Sequence, residues 1–261
     1  MIPIADAAAA LLREHDERRP FHSIREQFPF DGIGTSYDVQ AELVRRLCER
    51  NDCGTAGYKI GLTSPRMQTM CGIPHPIGGR VLSKRIHGSG QRIALSSHIH
   101  LGIECEIAVR IGRDLTAGDL PATVEEMGRA VEAVAPAFEL VEDRHADYTS
   151  LDMLTLVADN SWNAGVVLGE FRPTWPDLAS VEGVLAVDGR EVDRGFGQDV
   201  LGHPFEPLLW LSRHLAAGGE ALRAGEIVMT GSLVPTRFPA AGEVFRFSLA
   251  GLGDVEVTLT A

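Results

Sequence analysis

Short runs of β-forming residues, separated by Gly, Pro and Asp turns, follow one another from about residue 57 to the end of the sequence. GYKIGLTS, LGIECEIAVRIG and GVVLGEF are examples, and their apolar and β-branched content is typical of strands. Few helical segments lie among them, and no regular β-α-β alternation appears, so we do not expect a parallel, doubly wound sheet. The pattern predicts the α+β class, with a β-rich roll or sandwich as the core.

The first fifty residues have a different, helical pattern. Apolar residues at helical spacing predict one helix over residues 3–17, which Pro20 ends, and a second over residues 35–50. We therefore predict an N-terminal helical subdomain over residues 1–55 and a β-rich catalytic domain over residues 56–261.

A third helix is predicted after Thr123. Thr123 and Glu126 have the spacing of a capping box, and Val131 and Val134 continue an apolar stripe at helical spacing. Pro136 is expected to end this helix, and the AFELV run that follows it is expected to be a strand.

Composition excludes some classes of partner. The formal net charge is −12 over 261 residues, and no run of Lys and Arg forms a local basic patch. Such a surface repels nucleic acids and anionic membranes, so neither is an expected partner.

No apolar run approaches the ~18 residues that span a bilayer, and the first residues lack the basic start of a signal peptide. The four cysteines form no C-x-x-C pair, which is typical of thiols in a reducing compartment and predicts a cytoplasmic protein.

Three glutamates are candidate metal ligands. In LGIECEIAVRIGRDL (101–115), apolar residues occupy every second position, so Glu104 and Glu106 share the other face of a strand. Taken alone, that face is more simply a solvated one. Glu139, however, is the only charge in AVAPAFELV, and a buried carboxylate requires either protonation or a cation. Three carboxylates are oxygen ligands of the kind that Mg²⁺ or Mn²⁺ prefers.

A second metal hypothesis comes from SHIHLGIECE. His98, His100 and Glu104 have the H-x-H-x-x-x-E spacing found in cupin iron or manganese sites. A cupin also needs a later P-x-G-x-x-H segment, which this sequence lacks. The three-glutamate hypothesis is therefore preferred.

Polar residues in three further segments are candidates for binding or converting a substrate. Lys59 lies between apolar residues in GYKIGLTS, where it either extends to solvent or faces a pocket and transfers protons. The segment ADNSWNAG contains Asp159 and Ser161, and MTGSLVP contains Thr230 and Ser232. Both segments are also ordinary turn sequences, although a Thr-Gly-Ser loop can bind an anion through its N–H groups and hydroxyls.

Six motifs occur in one order along the chain. They are GYKIGLTS followed by Met67 and Gln68, E-x-E on a strand, P-A-x-E-L followed by an Asp-Arg pair, V-A-D-N-S, L-G-H-P and I-V-M-T-G-S. Together they resemble the 2-keto-4-pentenoate hydratase and 4-oxalocrotonate decarboxylase family of the fumarylacetoacetate hydrolase superfamily. The resemblance runs from about residue 36 to the end of the sequence. Each motif alone is modest, but six in this order are specific.

The resemblance implies the superfamily's β-rich roll preceded by helices, with Mg²⁺ or Mn²⁺ on Glu104, Glu106 and Glu139. A 2-oxo or 2-hydroxydienoic acid would chelate the ion, Lys59 would relay protons, and the two polar segments above would contact substrate oxygens. The implied activity is that of a hydro-lyase, which adds water to a 2-hydroxy-2,4-dienoate in aromatic-compound catabolism through a metal-stabilised enolate. Members of the family tend to form homo-oligomers, so we expect one here.

One position departs from the family pattern. Ile77, in HPIGG (75–79), lies where the family's hydratases carry an aspartate that is thought to position or activate the water. The departure bears on hydration more than on the binding of metal and keto acid. His75, which lies nearby, is a candidate for proton transfer. That it is an ordinary loop histidine before a proline is an equally good interpretation. A 2-oxo acid decarboxylase, an acylpyruvate hydrolase and a non-catalytic keto-acid-binding protein therefore stay open as alternatives.

Overall fold

A computed structural model describes residues 2–261. Within this range the chain forms six α-helices and twelve β-strands, so the prediction of a strand-rich chain with few helices is confirmed. The helices are α1 (Ile4–Asp16), α2 (Ile33–Asn51), α3 (Pro65–Cys71), α4 (Val124–Gly128), α5 (Met153–Ala158) and α6 (Glu206–Ala217).

The strands form two mixed sheets, one of seven strands and one of five. The strands are β1 (Thr55–Gly61), β2 (Ile77–Leu82), β3 (Ile86–Gly88), β4 (Gln91–Ala94), β5 (Leu101–Ile111), β6 (Val131–Glu142), β7 (Asn163–Leu168), β8 (Glu182–Val187), β9 (Arg190–Phe196), β10 (Ile227–Ser232), β11 (Val244–Leu249) and β12 (Gly253–Thr260). The larger sheet has the order β2-β1-β10-β5-β6-β7-β3, and the smaller has the order β4-β12-β11-β8-β9. Pairs β1–β10, β3–β7 and β4–β12 are parallel, and the other pairs are antiparallel.

The main core lies between the two sheets. Ile103, Cys105 and Ile107 of β5 belong to one apolar cluster with residues of β11 and β12, and all three are fully buried. In the same cluster, the rings of Phe138 and Phe247 lie 6.3 Å apart, which joins the sheets directly. Every second residue of β5 thus faces the smaller sheet, as the alternation predicts. The intervening residues of β5 point to the opposite face of the larger sheet.

The N-terminal helices cover part of that opposite face. Leu11 of α1 packs with Leu43 of α2, and the same apolar cluster includes Leu82 of β2 and Ala158 of α5. This shared cluster joins the helical segment to the strands, so the division at residues 55 and 56 stays a prediction. Within residues 2–261, every helix is too short or too polar to cross a lipid bilayer.

The predicted third helix is shorter than expected. It begins as predicted, because Thr123 Oγ1 accepts a hydrogen bond from Glu126 N at 3.2 Å, but α4 ends after five residues. Val131 and Val134 belong to β6, which continues through Pro136, so the prediction of a helix up to that proline was wrong. The segment pairs with β5 along its length, and its β-branched side chains are favoured there.

A buried ion network holds α1 against the segment that follows α5. Arg144 has no exposed surface, and its guanidinium donates to Glu14 Oε2 at 3.1 Å and to Asp159 Oδ2 at 2.7 Å. Asp159 Oδ1 also lies 2.6 Å from His15 Nε2. Burial raises the pKa of Asp159, but attraction from His15 and Arg144 outweighs it and leaves that pKa below its usual value. The carboxylate is therefore ionised and held between two groups from distant parts of the chain.

We predict that Arg144→Met lowers the free energy of unfolding by about 3–5 kcal/mol, because it removes the buried arginine that Glu14 and Asp159 share. Urea denaturation of the purified protein measures the loss. The matched control is Arg129→Met, which removes an exposed arginine that pairs with Glu125 on α4 and should change stability far less. Equal losses in the two variants would contradict a structural role for the buried network.

Candidate active site

Three carboxylates meet on the face of the larger sheet that points away from the smaller one. Glu104 lies directly opposite Glu139 in the pairing of β5 with β6, and Glu106 follows two residues along β5 on the same face. One carboxylate oxygen from each of the three lies within 4.8 Å of the others. Glu106 and Glu139 are fully buried, and Glu104 is partly buried. The strand register therefore brings together three residues whose separation in the sequence reaches 35 positions.

The two buried carboxylates are only half satisfied by the protein. The backbone N–H of Gly231 donates to Glu106 Oε2 at 2.7 Å, and Asn163 Nδ2 donates to Glu139 Oε1 at 2.9 Å. The other oxygens, Glu106 Oε1 and Glu139 Oε2, are buried without a hydrogen-bond partner. A buried acceptor without a partner raises the free energy of the folded protein, so a further ligand that contacts these two oxygens would stabilise it.

Gly231 brings its backbone close to the cluster because it has no side chain. Its φ is +114°, a conformation that other residues rarely adopt, and a Cβ there would lie 2.2 Å from Thr63 Oγ1. β10 is irregular between Met229 and Ser232, and Gly231 lies within this irregularity. The glycine of the Thr-Gly-Ser loop is therefore needed for its N–H to reach Glu106.

Among the residues that the structure describes, Lys59 is the one cation in direct contact with the cluster. Its Nζ lies 3.4 Å from Glu139 Oε1, and the side chain is buried. Gly79 faces Lys59 across β1 and β2, and a Cβ on that glycine would lie 3.1 Å from Lys59 Cγ and 2.5 Å from Asn160 O. Glycine at this position thus leaves room for the lysine stem beside the loop.

Burial and mutual repulsion alter the acidity of these groups. Burial, followed by the negative charges of its neighbours, raises the pKa of Glu106 well above its ordinary value. Burial also raises the pKa of Glu139 to about 7, although attraction from Lys59 opposes the rise. For Lys59, burial lowers the pKa, but attraction to the three carboxylates outweighs it and leaves the pKa above its ordinary value.

The cluster fits a hard divalent cation. In their ionised forms, three carboxylates and one ammonium leave an excess of two negative charges in a largely buried space. A divalent ion would balance that excess and would supply a partner for the unpaired oxygens of Glu106 and Glu139. All the donors are carboxylate oxygens, which suit Mg²⁺ or Mn²⁺. Such an ion would also remove the attraction that keeps the pKa of Lys59 high.

A left-handed turn supports one side of the site. Asn160, Ser161 and Trp162 have φ angles of 52°, 48° and 61°, which is unusual for three consecutive residues other than glycine. Asn160 accepts a hydrogen bond from Arg80 N at 2.7 Å and donates to Arg80 O at 2.9 Å, much as a neighbouring strand would. Ser161 Oγ donates to Gly78 O at 2.8 Å. These bonds to β2 offset the strain and hold Ser161 in place.

A cavity of about 520 Å³ begins at the cluster. Lys59 and Glu104 line its charged end, and Ser161 and Ser232 line its wall. Four of the sequence-predicted site residues thus share one cavity, and the buried Glu106 and Glu139 lie beside them in the cluster.

Three other candidates lie elsewhere. Thr230 donates its hydroxyl to Ile107 O at 2.9 Å within the sheet, and Asp159 belongs to the buried network with Arg144. His75 precedes β2, and its ring stacks on Trp210 of α6 with a centroid distance of 6.1 Å. None of Thr230, Asp159 and His75 lines the cavity.

The alternative histidine site is not formed. His98 Nδ1 lies 3.4 Å from Glu142 Oε2, and His100 Nδ1 lies 2.7 Å from Asp143 Oδ1. Neither histidine joins Glu104 in the carboxylate group, which is the only cluster of three or more metal-ligating side chains within residues 2–261.

Several site residues escaped prediction because their roles depend on contacts distant in sequence. Thr236 donates its hydroxyl to Glu104 Oε1 at 2.6 Å, and Asn163 donates to Glu139 as described above. Thr63 and Tyr148 line the cavity, and Tyr148 Oη donates to Asp143 at 3.0 Å. The sequence places Asn163 in a polar segment, but nothing in it signals these pairings.

Comparisons with known proteins agree with the geometry. Residues 79–260 match the family described as fumarylacetoacetate (FAA) hydrolase C-terminal. The chain is 33% identical to a 2-keto-4-pentenoate hydratase of Burkholderia vietnamiensis, covering 98% of this chain and 97% of that protein. It is 30% identical to a 4-oxalocrotonate decarboxylase of a Pseudomonas species, covering 85% of each. The structure is also similar to that of 4-oxalocrotonate decarboxylase from Pseudomonas putida G7 complexed with magnesium and adipate, with a TM-score of 0.90, 27% identity and coverage of 98% and 97%.

We predict that Glu106→Gln abolishes Mg²⁺ binding and leaves the metal-free protein at least as stable to heat. The amide removes one carboxylate ligand, and it also removes one buried negative charge that repels its neighbours. Isothermal titration with Mg²⁺ and thermal melting in a chelator measure the two effects. Glu132→Gln makes the same change at an exposed position of β6 and should leave binding intact. Wild-type Mg²⁺ affinity in Glu106→Gln would show that the ligand assignment is wrong.

Proposed function

Because the chain belongs to the fumarylacetoacetate hydrolase family, we propose that it is a divalent-metal-dependent hydratase acting on a 2-hydroxy-2,4-dienoate. Six curated relatives of this chain are named 2-keto-4-pentenoate hydratases, which are lyases, and this chain is a lyase on the same grounds. Such an activity serves the breakdown of aromatic compounds, and this role is part of the proposal.

The observation that carries the proposal is the group of three carboxylates beside Lys59 at the end of a cavity. The unpaired oxygens of Glu106 and Glu139 support the binding of Mg²⁺ or Mn²⁺. When bound, such an ion would attract the carboxylate and 2-oxygen of the acid and stabilise the negative charge that develops on that oxygen.

The residues of this chain would then divide the remaining work. Lys59 holds a proton beside Glu139, and it would deliver that proton to, or take one from, the substrate carbon. Ser161 and Ser232 line the cavity wall, and each would have to release its hydrogen bond to a backbone carbonyl in order to donate to a substrate oxygen.

A 2-oxo acid decarboxylase is the second candidate. Ile77 lines the cavity as a buried apolar side chain, so no carboxylate at that position activates a water molecule. Loss of carbon dioxide needs the metal and a proton donor but no activated water, which favours decarboxylation on this one point. The decarboxylase relatives, by sequence and by structure, keep this candidate open. Acylpyruvate hydrolysis and binding without turnover stay as further alternatives.

We predict that the purified protein with Mg²⁺ consumes 2-hydroxypenta-2,4-dienoate and forms a product heavier by one water. Loss of the dienol absorbance follows the reaction, and mass spectrometry identifies the product. The Glu106→Gln variant is the inactive control. Parallel reactions with 4-oxalocrotonate and an acylpyruvate test the sister activities. Turnover of only one of these, or oxalate binding with no turnover at all, would contradict the hydratase and select the corresponding alternative.

We predict that Lys59→Met keeps Mg²⁺ binding and lowers proton exchange at the carbon next to the 2-oxo group by about 10²–10⁴-fold, because the proton carrier is removed. Deuterium uptake from D₂O into 2-oxopentanoate, followed by NMR, measures the exchange. Lys84→Met removes an exposed lysine that donates to Asn51 O, and it should exchange at the wild-type rate. Unchanged exchange in Lys59→Met would remove Lys59 from this role.

The expected assembly and location complete the proposal. A homo-oligomer and a cytoplasmic location stay predictions, which gel filtration with light scattering and cell fractionation test directly.

A further inference from the structure

The cavity has two chemically different ends. Lys59 and Glu104 make one end charged. The wall beyond them is formed in part by Ile77, Met153 and Leu156, which pack together in one apolar cluster. A substrate whose acid group lies at the carboxylates would extend its other end along this apolar wall.

The outer part of the wall is formed by α3, a helix without a buried side chain. Met67, Met70 and Cys71 line the cavity from it. Met67 is 37% exposed and Met70 is 57% exposed. Ser64 caps the helix by accepting a hydrogen bond from Met67 N at 3.3 Å, so local capping rather than burial holds it. Flexible, polarisable methionines at such a position suit contact with an apolar ligand.

The wall offers no net charge to a second acid group. Apart from Lys59 and Glu104, the carboxylates and strong bases on the lining are one arginine, Arg66, and one aspartate, Asp199. Their charges cancel, and Arg66 is exposed to solvent. A second carboxylate on the substrate would lose its hydration against methionine, leucine and isoleucine side chains without a compensating buried cation.

We propose that the acid bound by this site carries a hydrocarbon tail of several carbons rather than a second carboxylate. The volume of about 520 Å³ lies within the ~300–1,000 Å³ range of ligand pockets and leaves room for such a tail beyond the acid group. This inference rests on the proposed function, since it takes the acid group to be bound at the carboxylate cluster. According to this proposal, α3 and the apolar wall contact the tail and so determine which substrate binds.

Binding of simple 2-oxo acids to the Mg²⁺-loaded protein tests the inference without requiring turnover. Titration calorimetry gives affinities for pyruvate, 2-oxobutanoate, 2-oxopentanoate and 2-oxohexanoate, with oxalate as the reference for the acid group. Each added methylene is expected to tighten binding about fourfold as it reaches the apolar wall. 2-Oxoadipate has the same chain length as 2-oxohexanoate with a carboxylate at its end, and it should bind at least about tenfold more weakly.

A matched pair of variants locates the tail. Met70→Lys places a cation on the cavity lining, and it should improve binding of 2-oxoadipate relative to 2-oxohexanoate by about fivefold. Thr69→Lys adds the same charge at the neighbouring exposed position of α3, which does not line the cavity, and it should leave the ratio unchanged.

The outcomes separate this inference from the function on which it rests. If oxalate and pyruvate bind but chain length has no effect, or if 2-oxoadipate binds more tightly than 2-oxohexanoate, the apolar tail is wrong and the acid site stands. An unchanged ratio in Met70→Lys also overturns the inference. If neither oxalate nor any 2-oxo acid binds to the metal-loaded protein, the proposed function fails, and the inference fails with it.

Discussion

The crowding of two buried carboxylates and one partly buried carboxylate around one ammonium group is the constraint on which the rest of the site depends. Repulsion among Glu104, Glu106 and Glu139 raises the free energy of the folded chain, and Lys59 cancels only one of the three charges. The chain bears this repulsion because the strands on which the glutamates lie are fixed by a continuous pairing of β5 with β6. The opposite face of those strands packs in the main core between the sheets, which stabilises them independently of the site.

The elements around the cluster have irregularities that regular strands would not need. The irregular pairing of β10 turns the N–H of Gly231 toward Glu106, and the left-handed turn at Asn160, Ser161 and Trp162 precedes the Asn163 that donates to Glu139. Each left-handed residue costs about 1–3 kcal/mol, so the turn persists only because its side chains bond to β2. Local strain is thus placed where it presents hydrogen-bond donors to the carboxylates, an arrangement typical of preorganised sites.

The parts of the site that could be predicted from the sequence are those set by local periodicity. The alternation in β5 predicts that Glu104 and Glu106 share a face, and the apolar run around Glu139 predicts a buried carboxylate. The placement of Asp159, Thr230 and His75 cannot be predicted in this way, because it is decided by partners that lie far away in the sequence. Val131 and Val134 fit a helical stripe by spacing, but pairing with β5 outweighs that local preference. The parts of the fold and of the site that local periodicity does not predict are therefore decided by tertiary pairing, which a single sequence does not display.

Residues 2–78, which precede the family match, contribute to the site. The family match begins at residue 79, whereas Lys59 lies on β1, before that boundary. Glu14 of α1 reaches the fully buried Arg144, which in turn holds Asp159 immediately before the left-handed turn. A displacement of α1 would thus be felt at the turn and, through it, at the donor to Glu139. The matched strands supply the carboxylates, and the preceding segment supplies the ammonium group together with part of the support that positions the donors around them.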